Sequence, residues 1–212
     1  MKGCFKMFKK FFSTLLMAMM ILAIANGQAF AEKKVAILLD APTGMFSEPE
    51  KVYAAVQETL DKILQSSREY EILPIDETSS YLQIYREEND LVSTVTTEGV
   101  AVEAFLKKED VAKICQHFGS DYVIYTRVSS TIPTVSVGLF SASQKVNVVM
   151  DFRVWSEAKQ DFSYTKRTTT KGSSTAIYAG IGSASRAVDK GLKKGLQEVE
   201  KDSSKVRAAM YD

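Results

Sequence analysis

Apolar residues run almost without interruption through Lys34–Asp40 (KVAILLD), a stretch of strand length. Such a run predicts a strand buried on both faces, in the interior of a sheet. A turn-rich segment, 41–50, follows and closes on Ser47-Glu48-Pro49-Glu50. There Ser47 is placed to cap a helix and Glu50 to return the bond, while Pro49 suits a first turn because its missing N–H has no partner to lose. Val52, Val56, Leu60, Ile63 and Leu64 then recur at helical spacing, with Lys51, Gln57, Asp61 and Gln65 opposite. This predicts an amphipathic helix lying on the sheet and ending near Ser66 and Ser67. Tyr70–Ile75 (YEILPI) reads as a second strand, and Pro74, which donates no ladder hydrogen bond, places it at a strand end or an edge.

The pattern from 76 to 106 is the least periodic, and its structure is left open. Ser79 or Ser80 would cap a helix through about Leu91, and Thr94–Phe105, interrupted by Gly99, suits either an extended or a helical chain. Periodicity returns at Glu109–Phe118, a short helix with Gly119 where a left-handed residue would end it. Asp121–Ser129 (DYVIYTRVS) reads as a strand, and Ile132-Pro133 leads into an apolar segment, Val135–Phe140, with a turn expected at Ser141–Gln144. In Lys145–Trp155, Val146, Val148, Met150, Phe152 and Val154 alternate with Asn147, Val149, Asp151, Arg153 and Trp155, the period of a half-buried antiparallel strand. After a turn at Ser156–Gln160, the polar, Thr-rich Asp161–Lys171 suits an edge or a solvated face. The last element, about Ser174 to Lys201, reads as a mostly helical segment with a stripe of Ala184, Ala187, Val188, Leu192, Leu196 and Val199. Gly180, Gly182, Gly191 and Gly195 remove bulk for close packing on the sheet, at about 1 kcal/mol of helix propensity for each internal glycine. The predicted class is α/β (α+β): a mixed central sheet in two or three layers, a β-α-β start, antiparallel hairpins in the C-terminal half and a C-terminal helix. One domain, 32–202, is expected, with a flexible tail over 203–212.

The first 31 residues change the picture of where this domain works. Lys2, Lys6, Lys9 and Lys10 precede an apolar stretch, Phe11–Ala25, and Ala29-Phe30-Ala31 supplies a small-residue cleavage pattern. This is the layout of a secretory signal peptide cut near Ala31, and the apolar stretch falls short of the roughly 20 residues a membrane span needs. The expected location is therefore the periplasm or the cell surface. Removing four lysines from 27 basic residues leaves 23 against 26 acidic ones, about −3 overall. That mild charge gives no electrostatic reason to expect nucleic acid as a partner. Of the two cysteines, Cys4 leaves with the leader, so Cys115 has no disulfide partner within the chain. It shares an apolar helical face with Val111, Ala112, Ile114 and Phe118, which predicts a buried, inert thiol.

Candidate chemistry is sparse. His117 is the sole histidine, so no histidine cluster can bind zinc, and its spacing of two from Cys115 turns the pair to different helix faces. Glu87-Glu88 and Glu109-Asp110 read as solvated or first-turn acids, and Gly180-Ile181-Gly182 follows no apolar strand that would make it a phosphate cradle. No catalytic residue, metal or cofactor is therefore assigned. The loop after the first strand, with Asp40, Thr43 and Gly44, is the candidate ligand or partner loop, because ligands of open α/β sheets sit beyond the carboxyl ends of strands. The apolar hairpin carrying Ile132, Val135, Val137, Leu139 and Phe140 is either core or a surface that docks a partner or a membrane interface.

The order of these elements, and above all EDVAKICQHFGSDYVIYTRV with its helix, Gly-Ser-Asp-Tyr turn and apolar strand, resembles the CsgG family of curli secretion and the related TolB N-terminal-like fold. The resemblance covers most of residues 34–200. It implies an envelope protein that acts as an oligomeric secretion part, assembly factor or regulator and not as an enzyme. The chain departs from the channel-forming members in lacking a lipobox cysteine and in having one long hairpin, which argues against a pore. The expectation is thus a non-catalytic exported accessory protein whose partners are envelope proteins, or itself as a homo-oligomer. The alternatives are a periplasmic small-ligand or glycan-binding module and a hydrolase with an unrecognised site.

Overall fold

The computed structural model describes residues 32–42, 44–64, 69–91, 94–95, 101–102, 105–138, 141–177 and 183–211. The expected leader with its cleavage pattern, Thr43, Gly99, Leu139, Phe140, Gly180 and Gly182 lie outside them. The first apolar run is strand β1 (Lys33–Asp40), and helix α1 (Pro49–Leu64) follows it. The chain continues through β2 (Tyr70–Ile72), α2 (Ile75–Glu88), β3 (Thr94–Val95), β4 (Ala101–Val102) and α3 (Lys108–Phe118). Then come β5 (Tyr122–Ser130), β6 (Thr134–Val137), β7 (Ser141–Ser156), β8 (Asp161–Ile177), α4 (Ala184–Glu200) and α5 (Ser203–Ala209). β1 pairs in parallel with β2 on one side and β5 on the other. β5 and β6 both pair antiparallel with one side of β7, and β8 pairs antiparallel with the other. The result is a six-stranded mixed sheet, with β3 and β4 as a separate antiparallel pair.

Three layers follow from the alternation of side chains. On one face Val35, Ile37 and Leu39 pack with Tyr122, Ile124, the β7 series Val146 to Val154 and the apolar stripes of α1, α4 and α5. On the other, Ala36, Leu38, Val123, Tyr125 and Trp155 meet Leu82 and Tyr85 of α2 and Val111, Ile114 and Cys115 of α3. The α1 stripe buries the five residues its spacing predicts. Gly119 ends α3 at φ +55°. β7 is half-buried only in its first part, because α3 and the Trp155–Phe162 edge-to-face contact, with centroids 5.5 Å apart, cover its second face towards Trp155.

Several boundaries differ from the sequence expectation. Strand β2 stops at Ile72, and α2 starts at Ile75 directly after Pro74, not at Ser79 or Ser80. A proline is tolerated there because the first turn has no N–H bond to lose. The Ser47 hydroxyl donates to the Asp189 carboxylate of α4 instead of capping α1. Ser141–Gln144 is not a turn: these small polar residues begin β7, held by β6 on one side and β8 on the other. Likewise Ser174–Ile177 extends β8 along β7, and the helix begins only after Ser183, whose hydroxyl accepts from the Arg186 N–H. Between β5 and β6 the register with β7 slips by one residue, from Ser130 opposite Val148 to Thr134 opposite Lys145. Pro133 sits in that irregularity, where an absent N–H costs no ladder bond.

The residues after Asp202, expected as a tail, form α5, and Val206 and Met210 are fully buried against the core. The Met210 carbonyl accepts from the hydroxyls of Tyr122 at 2.5 Å and Tyr70 at 3.3 Å. Asp202, at the start of α5, accepts from Lys166 at 2.7 Å, Lys205 at 3.1 Å and Tyr164 at 3.2 Å. Hydrogen bonds from Lys166 and then Lys205 hold its carboxyl down to about 2. Because the folded value lies below the ordinary one of roughly 3.9, this contribution is complete above about pH 4 and is lost as pH falls through about 2. Acid titration of the folded protein is therefore expected to loosen α5 between about pH 4 and 2, read by amide exchange at Val206. Asp202→Asn flattens that dependence, whereas an unchanged acid profile in the variant contradicts the assignment.

Candidate functional site

The carboxyl end of β1 brings together side chains that lie far apart in sequence. Asp40, Arg127, Asp151 and Arg167 stand opposite one another in register across β1, β5, β7 and β8, a row of alternating charge. Period-two alternation places this row on the same face as Ala36, Leu38, Val123 and Tyr125, just past the ground that α2 and α3 cover. Asp40 is 2% exposed. Its carboxylate accepts from Nη2 of Arg86 at 2.6 Å and from the Tyr125 hydroxyl. Arg86 also donates through Nη1 to the Leu91 carbonyl at 3.0 Å. Burial, and then the Asp40 charge, push the Tyr125 phenol well above its ordinary range, so it stays a donor. Asp40 is thus a buried anchor that fixes the end of β1 to α2 and β5.

Arg127, buried, carries its guanidinium carbon 3.5 Å from the centroid of the Phe105 ring. Asp151 is buried and lies 3.7 Å from Nε of the exposed Arg167, an ion pair without a hydrogen bond. Beside this row opens a cavity of about 520 Å³ between the loop that follows β1, the segment Val128–Ser130 of β5 and the start of α4 at Ala184 and Ser185. A smaller cavity of about 200 Å³ lies on the α2 side of the same loop. Gly44, at φ +76°, lines both. Pro42, Gly44 and Met45 of the loop that follows β1 line both cavities.

The hairpin residues are set apart from the core. Ile132, Val135 and Val137 are 61%, 50% and 80% exposed, and Val135 and Val137 project from one face of β6. With Leu139 and Phe140 outside the described residues, the exposed apolar surface is defined by these three.

Cys115 is buried and donates to the Ser120 carbonyl at 3.0 Å. Burial pushes its thiol up to about 12, so thiolate is scarce at neutral pH. Maleimide labelling of the folded protein is expected to be slow and to become fast in denaturant; rapid labelling without denaturant contradicts this burial. His117 stacks on Tyr81 with ring centroids 3.8 Å apart at 11°, and Asp110 accepts from the Tyr85 hydroxyl at 2.8 Å. These contacts hold α2 against α3. Among the described residues no group of three or more His, Cys, Asp or Glu side chains is placed to hold a metal ion. No described helix is long and apolar enough to cross a membrane.

Sequence reasoning pointed to Asp40 and Gly44 but missed Arg86, Arg127, Asp151 and Arg167. A signal was present in part. Alternation along Asp121–Arg127 and Met150–Trp155 puts Arg127 and Asp151 on the face opposite the apolar β7 series, where charges at strand ends mark a site or a lock.

No protein-family model matches the chain, and no curated protein is detectably similar to it. Among solved structures, it resembles the lipoprotein GNA1162 from Neisseria meningitidis at 15% identity and a TM-score of 0.34, over 80% of this chain and 96% of that one. A lipoprotein from Caulobacter crescentus CB15 aligns at 10% identity and a TM-score of 0.38, over 83% and 93% of the two chains. The LpoB C-terminal domain from Escherichia coli aligns at 10% identity and a TM-score of 0.28, over 67% and 84%. Some of the structures it resembles are described as bacterial lipoproteins, at scores that assign neither a fold family nor a function to this chain.

Proposed function

We propose that this protein is an exported, non-catalytic accessory domain of the bacterial cell envelope that works by binding other envelope proteins. The observation that carries the reading is the hairpin: Val135 and Val137 stand exposed on one face of β6, and Ile132 is exposed just before it, where a solvated strand would carry polar residues. The leader supports export to the periplasm or cell surface, with cleavage after Ala31 and Glu32 as the new N-terminus. Kinship to the CsgG and TolB N-terminal-like group, read from the α3–β5 segment, belongs to the same proposal.

The test places a photo-cross-linker at Val137 in living cells and compares the otherwise wild-type chain with a variant that also carries Ile132→Ser and Val135→Ser. Because these side chains are exposed, the variant is expected to fold normally and to lose its cross-links to envelope proteins. Identical cross-links from both proteins, or none from a strictly monomeric wild type, would overturn the reading. N-terminal sequencing of the exported protein checks the cleavage site.

A further inference from the structure

The open edges of the sheet are not alike. β2, at one end, is three residues long and carries Glu71. β8, at the other, carries Lys166, Arg167 and Lys171, and α4 packs on its inner face through Gly172. Short length, charge and coverage are the usual protections of an edge against pairing with another chain. A third edge lies in the interior. β1 ends at Asp40, opposite Arg127, whereas β5 continues to Ser130 and its line is extended by β6. Among the described residues, Val128–Ser130 and Thr134–Val137 pair only with β7, which leaves their other side open in line with β1. This edge bears no charged residue from Val128 to Val137, and residues 131–133 interrupt it between β5 and β6.

We propose that an extended peptide strand of a protein partner adds to this edge, continuing the line of β1. The inference rests on the protein-binding reading above and specifies how the partner is held. The edge supplies backbone donors and acceptors that only an extended chain matches in register. The cavity of about 520 Å³ lies against the same backbone, at Val128, Ser129 and Ser130. Its walls differ on the two faces of the sheet: Val128, Val146 and Val188 on one, and Arg127, Asp151 and Arg167 on the other. Successive side chains of an added strand point to opposite faces. The fitting occupant therefore has apolar residues at alternate positions, facing the valines, and polar or oppositely paired charged residues between them. The Asp40–Arg86 anchor fixes where the slot begins, because it holds the last residue of β1 in place. At about 3.3 Å per residue the ten residues from Val128 to Val137 span at most roughly 33 Å, which is long enough to pair a peptide of about eight residues.

The test selects binders from a library of random eight-residue peptides displayed on phage, using the purified protein. The enriched peptides are expected to alternate apolar and polar positions. A synthetic copy is expected to slow amide exchange at Ser130, Val135 and Val137, whose N–H groups face away from β7, by at least about tenfold, and the same peptide N-methylated at alternate backbone nitrogens is expected to lose binding. Failure to enrich any peptide, equal binding of the N-methylated form, or protection elsewhere would overturn the proposal. So would protection of these amides by the protein's own concentration, which assigns the edge to a second copy, or by a small solute in a thermal-shift screen. Cross-links from Val137 to an envelope protein that leave these amides unprotected would sink strand addition while leaving the protein-binding reading standing.

Discussion

Gly172→Ala is expected to lower the unfolding free energy by about 3 kcal/mol, in the upper range for overpacking, and to drop Tm by roughly 6–12 °C. A Cβ built on Gly172 would lie 1.7 Å from the Ala187 carbonyl oxygen and 2.7 Å from its carbon. Both are backbone atoms of α4, so no rotamer change makes room and the whole helix must move off the sheet. The same interface contains Gly191, whose Cβ would meet a Val148 methyl at 2.4 Å, and the Thr170 hydroxyl donates to the Gly191 carbonyl at 2.5 Å. Gly191→Ala should cost less, because a side chain can yield where a backbone cannot. At Gly195 the nearest atoms are the Thr168 hydroxyl at 3.1 Å and the Met150 methyl at 3.3 Å. There the helix-propensity gain of about 1 kcal/mol opposes mild crowding, and Gly195→Ala should change stability little. Urea unfolding of the three variants gives the ranking; a Gly172→Ala protein as stable as wild type would show that the close approach of α4 to β8 is not real.

Removing the Asp40 carboxylate is the second large effect. Asp40→Ala is expected to cost about 3–5 kcal/mol, the range found when one member of a buried ion pair is deleted. The variant strips Arg86 of its buried carboxylate partner and leaves the Tyr125 hydroxyl without its acceptor. Tyr125→Phe removes one hydrogen bond from the same carboxylate and should cost about 1 kcal/mol. The double variant Asp40→Leu, Arg86→Met is expected to be more stable than Asp40→Ala, because the desolvation cost of both ions disappears with them. Additive losses in that cycle, or an Asp40→Ala protein within about 1 kcal/mol of wild type, would mean that the carboxylate is solvated and not locked. Since the pair sets the end of β1, the damaged variant should also bind peptides at the adjoining edge more weakly.

Much of this architecture was legible because it is local. The unbroken apolar run of Val35–Leu39, the helical spacing from Val52 to Leu64 and Gly119 after α3 report burial, period and termination within a few residues of themselves. Cys115 was readable for the same reason, since its neighbours at helical spacing define a buried face. The polar segments were misjudged. Ser141–Gln144 and Ser174–Ile177 have the composition of turns and helix starts, yet each is a strand because partners on β6, β7 and β8 supply its hydrogen bonds. The tail after Asp202 has too few apolar residues to announce a helix, but Val206 and Met210 find a preformed site in the core. Of the charged site, the sequence marked Asp40 by its position at the end of a buried strand. Its partners lie 46 and 85 residues away, at Arg86 and Tyr125, where no local pattern points to them.

By itself, then, the order of residues determined which segments are buried and their period, because hydrophobic burial and capping act over one or two turns of chain. Which strands neighbour which, how far β7 and β8 extend, and the meeting of Asp40, Arg127, Asp151 and Arg167 in one row were decided only in three dimensions. The physical reason is that backbone pairing saturates any segment brought beside a partner, whatever its own preference, and charges far apart in the chain meet only once the sheet has set its register.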